Sequence, residues 1–104
     1  MTANKLTSDI IEFLQSRKCQ AERVNNISRQ VKGRWVKSNM TRGTSDIHAI
    51  VKGRAVKIEV KIGTDSQSIW QKAYQKEVEK AGGIYYIAKD FHSFYEWYNK
   101  MFAI

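Results

Sequence analysis

A single cysteine, Cys19, excludes an internal disulfide, and two histidines beside it are too few for a Cys/His zinc framework. Cys19 is therefore expected to be a small apolar residue of the core. Long apolar runs are missing as well: no stretch approaches the roughly 18 residues of a membrane span. The polar opening MTANKLTSD lacks the basic and apolar regions of a signal peptide, so an intracellular protein is expected. No composition break, internal repeat or low-complexity stretch divides the chain. Its 104 residues, 42% hydrophobic, are expected to form one domain, 1–104, around one core. Acidic residues are also scarce, ten against eighteen Lys and Arg, leaving a net charge of +8. That excess favours a polyanionic partner, nucleic acid first and an anionic membrane surface second.

What is present follows clear periods. LTSDIIEFLQSRK carries Leu6, Ile10, Phe13 and Leu14 at helical spacing behind Thr7, Ser8 and Asp9 as candidate caps, which predicts a helix over about 8–18. QAERVNNI and GRWVKSN read as short extended segments, the second after a polar turn at Lys32 and Gly33. DIHAIV and RAVKIEVKI, rich in β-branched residues, are separated by Lys52 and Gly53. SIWQKAYQKEVEKAGG sets Trp70, Ala73, Tyr74, Val78 and Ala81 on one helical face and stops at Gly82 and Gly83. IYYIA reads as a buried strand, and Asp90 opens a last helix with Phe91, Phe94, Tyr95, Tyr98 and Phe102 on one side. That stripe is expected to pack in the core. Trp97 lies off it, either an interface residue or a lone exposed aromatic. The predicted order is α-β-β-β-β-α-β-α.

The central hairpin carries the chemistry. If Lys52 and Gly53 form a two-residue turn, Val51 pairs with Arg54, and Asp46 falls opposite Glu59. Alternation then puts Ile47, Ala49, Val51, Val56, Ile58, Val60 and Ile62 on a core face, and Asp46, His48, Lys57, Glu59 and Lys61 on the other. Directly opposed like charges destabilise a sheet, so a cation is wanted between the carboxylates. Lys61 stands two residues from Glu59 and relieves part of the repulsion. A magnesium ion would relieve it more fully, because it takes oxygen ligands from one or two carboxylates and keeps positions for water and phosphate. The competing reading is a salt-bridge ladder on an exposed strand face.

Gly43-Thr44-Ser45-Asp46, thirteen residues to Glu59-Val60-Lys61, then Gln71 in a helix ending EKAGGIYYIA, resemble the VRR-NUC branch of the PD-(D/E)XK nucleases. ERVNN is similar to the R-x-N strand of small phage-type members, and the likeness spans roughly residues 8–90. Ser45 stands where the superfamily name has proline, a position that often varies in this group.

The resemblance implies an α/β fold, a restriction-endonuclease-like αβββαβ core with a central mixed sheet flanked by helices. It implies that Asp46 and Glu59 bind metal together with the main-chain carbonyl of Val60. Lys61 would orient the attacking water or stabilise charge, and Gln71 would line the site. Ser68 to Gln71 is also an S-x-x-Q capping box, so a structural role stands beside that one. Glu12 falls near a first-helix glutamate of many relatives, and His48 faces the same side; neither is counted in the catalytic set. Arg23, Arg34, Lys37 and Arg42 precede Asp46 in the chain and are candidates for neutralising a nucleic-acid backbone, or ordinary solvated charges.

The expected function is a Mg2+-dependent DNA endonuclease, with Mn2+ as substitute, hydrolysing phosphodiester bonds. Selectivity is expected for DNA structure or ends, by nicking or branched-DNA cleavage. DNA is the expected partner, a homodimer the expected assembly, and no membrane is involved. A cytoplasmic location is expected from the polar opening and the lack of long apolar runs, and the resemblance suggests a phage or prokaryotic type. The alternative is a catalytically silent nucleic-acid-binding module with a nuclease fold.

Overall fold

The computed structural model describes residues 2–24, 29–31, 34–36 and 43–102. Its elements are α1 (Ala3–Ser16), β1 (Gln20–Arg23), β2 (Arg29–Val31), β3 (Arg34–Val36), β4 (Ile47–Val51), β5 (Arg54–Val60), α2 (Ile69–Lys80), β6 (Ile84–Ala88) and α3 (Phe91–Phe102). The fold is α/β. A four-stranded mixed sheet has the order β1-β4-β5-β6, with β2 and β3 paired separately. β1, β4 and β5 are antiparallel neighbours, whereas β6 runs parallel to β5. A parallel neighbour cannot be reached by a tight turn, and α2 supplies the crossover.

α1 begins five residues before the predicted start. Thr2 is the cap, its hydroxyl accepting from Lys5 N at 3.0 Å. Thr7 instead bonds back within the helix to the Ala3 carbonyl at 2.7 Å, and Lys5 reaches Asp9 one turn on. The helix closes at Arg17, where Lys18 turns left-handed with φ 64° and Cys19 N reaches back to the Leu14 carbonyl. Cys19 is half-buried against the core, with its sulfur 3.8 Å from the Tyr98 hydroxyl.

The β4–β5 hairpin has the expected register, Val51 opposite Arg54 and Ile47 opposite Ile58. Lys52 and Gly53 both take positive φ, 50° and 79°, as a two-residue turn matched to strand twist requires. Ile47, Ala49, Val51, Val56, Ile58 and Val60 are buried on one face beneath α1 and α3, with Ile62 packed at the margin. Phe13 of α1 meets Phe91, Phe94, Tyr95 and Tyr98 of α3 edge-on, at centroid distances from 5.0 to 5.8 Å. Such pairs add about 0.5–1.5 kcal/mol each beyond their burial. Trp97 belongs to this layer, stacked on Tyr86 at 4.2 Å.

α2 lies on the opposite face, where Tyr74 approaches His48. It forms over the predicted residues, yet none of its residues is fully buried, and Ile69 and Trp70 are 75% and 46% exposed. The predicted order also lacked a strand, since β2 precedes Lys32 and Gly33 and pairs Val31 with Arg34. Among the described residues no helix is long and apolar enough to cross a membrane.

Candidate active site

The segment leading into β4 is held against the start of α2. Gly43 takes φ +81°, and a Cβ there would lie 2.4 Å from the Trp70 carbonyl oxygen and 2.9 Å from Gln71 N. Only glycine combines this backbone with so close an approach. Two residues on, Ser45 is buried, and its hydroxyl donates to the Ile47 carbonyl at 3.4 Å. The loop delivers Asp46 to the mouth of the β4–β5 ladder.

At Asp46 the chain leaves the ladder, and its side chain continues the bonding. In the hairpin register Val60 is opposite Ser45. Here the Val60 N–H donates instead to Asp46 Oδ2 at 2.8 Å, while the Asp46 carbonyl accepts from Val24 N at 2.8 Å. The carboxylate is thereby fixed between β1 and β5. The N–H and C=O of a strand residue point to the same side, so the Val60 carbonyl also faces Asp46.

Glu59 completes the pair. It is only 2% exposed, and Tyr85 donates its hydroxyl to Oε2 at 3.3 Å. Burial raises its pKa from 4.5 to about 8, with the hydrogen bond to Asp46 and the Asp46 charge adding to the rise, while Lys61 and Tyr85 act in the other direction. At neutral pH the protonated form of Glu59 is favoured.

Around the pair lies a polar layer on the α2 side of the sheet. Gln67 Nε2 donates to the Tyr85 hydroxyl at 3.3 Å and to Gln75 Oε1 at 3.0 Å. The Tyr85 pKa is raised, chiefly by burial, so its hydroxyl stays a donor. His48 Nε2 lies 3.3 Å from the Tyr74 hydroxyl. Burial first, then Lys57, lowers the His48 pKa, with Glu22 opposing. Tyr85 and Gln67 were not singled out in the sequence. Their place depends on the parallel register, which sets Lys57 beside Tyr85 and Glu59 beside Ile87.

The residues expected at the site separate into groups. Asp46, Glu59 and the Val60 backbone come together, and Lys61 lies just past the end of β5, its N–H donating to the Ala88 carbonyl at 2.9 Å. Gln71 forms the capping box: its Oε1 accepts from Ser68 N at 2.9 Å, and its own N–H donates to Ser68 Oγ at 3.1 Å. Arg23 is opposite Ile47 and so on the α1 face, its guanidinium donating to Asn4 Oδ1 at 2.7 Å and Ser8 Oγ at 2.9 Å. The sheet separates it from the carboxyl pair. Glu12 is exposed on α1, in a cleft with Phe13 and Phe91. Arg34 lies in β3 with its side chain outside the description, and Lys37 and Arg42 lie outside the described residues.

Among the described residues no group of three or more His, Cys, Asp and Glu side chains could hold a metal ion. Two adjoining carboxyls and a strand carbonyl form a small all-oxygen donor set, which fits a hard ion that retains much of its water. No known protein-family model matches the chain, and no curated protein matches it in sequence.

Proposed function

We propose that the chain is a metal-dependent DNA endonuclease with a PD-(D/E)XK-type core, as its resemblance to the VRR-NUC branch implies. The observation that carries this reading is the pair of half-buried Asp46 and buried Glu59, fixed by Val60 N and Tyr85, with Lys61 two residues on in the chain, just past β5. Asp46, Glu59 and the Val60 carbonyl would hold Mg2+, or Mn2+ in its place. The ion supplies acidification of an attacking water and neutralisation of charge on the phosphoryl oxygens.

The protein's own groups prepare that chemistry. Val60 N holds Asp46 in one orientation, and Tyr85 holds Oε2 of Glu59. A divalent cation held between the carboxyls would take the place of the proton that burial favours on Glu59. The Lys61 ammonium adds positive charge where the phosphoryl group becomes more negative. Recognition of DNA shape or ends is the selectivity proposed with this activity. A homodimer would match a two-fold branched substrate.

The test is incubation with supercoiled, linear and four-way-junction DNA in Mg2+ or EDTA. Cleavage is expected with Mg2+ or Mn2+ only, and should disappear in Asp46→Ala and Glu59→Ala variants that still fold. Equal cleavage in EDTA, or activity surviving both substitutions, removes the carboxyl pair from the mechanism. Binding without cleavage under every condition leaves the silent nucleic-acid-binding module.

A further inference from the structure

Next to the carboxyl pair, on the same side of the sheet, is a cleft of about 230 Å3. Its walls include Lys61 after β5, Lys72 in α2 and Lys89 after β6, together with Asp65, Ser66 and Gln67. The parallel register explains the convergence. Val60 pairs with Ala88, so Lys61 and Lys89 follow side by side at the carboxyl ends of two parallel strands. Ligands of open α/β sheets commonly bind at such strand ends. The crossover through α2 then brings Lys72 over the same opening.

The charge balance of this cleft is one-sided. Three of the residues lining it are lysines and one, Asp65, is acidic. The ion pairs among the described residues are Lys5 with Asp9 and His92 with Glu96, so none of the three lysines is neutralised by one. Three like charges around one opening repel each other, and an anion removes that repulsion. Gln67 ties the cleft to the carboxyl site, since the same amide that lines it donates to Tyr85, which donates to Glu59.

We propose that Lys61, Lys72 and Lys89 form a subsite for a phosphate of the DNA backbone adjoining the one held at the carboxyl pair. The inference rests on the nuclease reading for the identity of the polyanion. Lys61 serves both places, while Lys72 and Lys89 act in the subsite alone. This assigns the phosphate contact to the α2 side of the sheet, the face opposite Arg23.

The test is equilibrium binding of a fluorescent DNA duplex in EDTA between 50 and 200 mM salt, where turnover is absent. Wild type is compared with Lys72→Ala, Lys89→Ala, the double variant, and Lys100→Ala on α3 as a charge-matched control. Each subsite lysine should cost roughly fivefold to tenfold in affinity at 0.1 M salt and lower the salt slope by about 1, with Lys100→Ala near wild type. A Lys72→Gln/Lys89→Gln pair gives the same comparison if the alanine pair folds poorly. The subsite is overturned if the double variant keeps wild-type affinity and slope, if Lys100→Ala weakens binding equally, or if wild type binds no DNA. Single-turnover cleavage in Mg2+ separates the two readings. Loss of binding in the lysine variants with an inactive wild type sinks the nuclease and keeps the subsite; active wild type with unaffected lysine variants does the reverse.

Discussion

The two faces of the sheet are built to opposite rules. On the α1 and α3 face Ile47, Val51, Val56, Ile58 and Phe94 are almost wholly excluded from water, and aromatic rings close the layer. On the α2 face the buried group is an acid, Glu59, supported by Tyr85, Gln67 and Gln75, under a helix with no fully buried residue. The first face holds the fold together by apolar burial. The second spends some of that stability on a charge site, because an acid kept out of water must hold a proton or a partner cation. The difference is the reason the proposed function is assigned to the α2 side.

The largest expected effect comes from breaking the first face. Phe94→Ala should cost about 3–5 kcal/mol in denaturant melts, since it empties the centre of the aromatic layer. A cost under about 1 kcal/mol would mean that this face is not the stabilising one.

Next is the pH response of the second face in EDTA. The folded-state pKa of Glu59 is raised from 4.5 to about 8, so the native state holds a proton that the unfolded chain has lost. The resulting stability is complete below about pH 4.5 and is lost as pH rises through about 8. Wild type should lose a few kcal/mol between about pH 5 and pH 9 relative to Glu59→Gln, which has no such proton. Parallel stability curves for the two proteins would show that Glu59 does not titrate this way.

Smaller effects sharpen the boundary between the faces. Gly43→Ala should cost about 1–3 kcal/mol from the positive φ and the clash with the Trp70 carbonyl, and should abolish cleavage by displacing Asp46. Normal cleavage by a folded Gly43→Ala protein would detach the loop from the site. Tyr85→Phe removes one hydrogen bond to Glu59 and should change stability by about 1 kcal/mol. Its single-turnover rate should fall while DNA affinity in EDTA stays unchanged, and a loss confined to affinity would argue against a positioning role.

The hairpin was legible because Lys52-Gly53 fixes a register and strict alternation assigns each residue a face. Asp46 and Glu59 followed from that register alone. The start of α1 was not legible, because Thr2 and Thr7 both suit a cap locally and only the burial of Thr7 decides between them. β2 does carry a signal: Val-Lys-Gly-Arg occurs at 31–34 and again at 51–54, and in both places the Val pairs with the Arg. Tyr85, Gln67 and Lys89 were hidden for another reason. Nothing local in IYYIA tells which strand it joins or in what parallel register, and their roles exist only once that pairing is made. The exposure of α2 was equally invisible, since an apolar face reports what a helix can bury, not how much covers it.

The central claim is that the carboxyl pair holds one proton in the metal-free protein and exchanges it for a divalent cation. Calorimetric titration with Mn2+ at pH 7, in two buffers of different ionisation heat, counts the protons released on binding. Wild type should bind and release about one proton, and Asp46→Ala should bind far more weakly. Absence of binding in wild type, or equal binding by Asp46→Ala, would contradict the account.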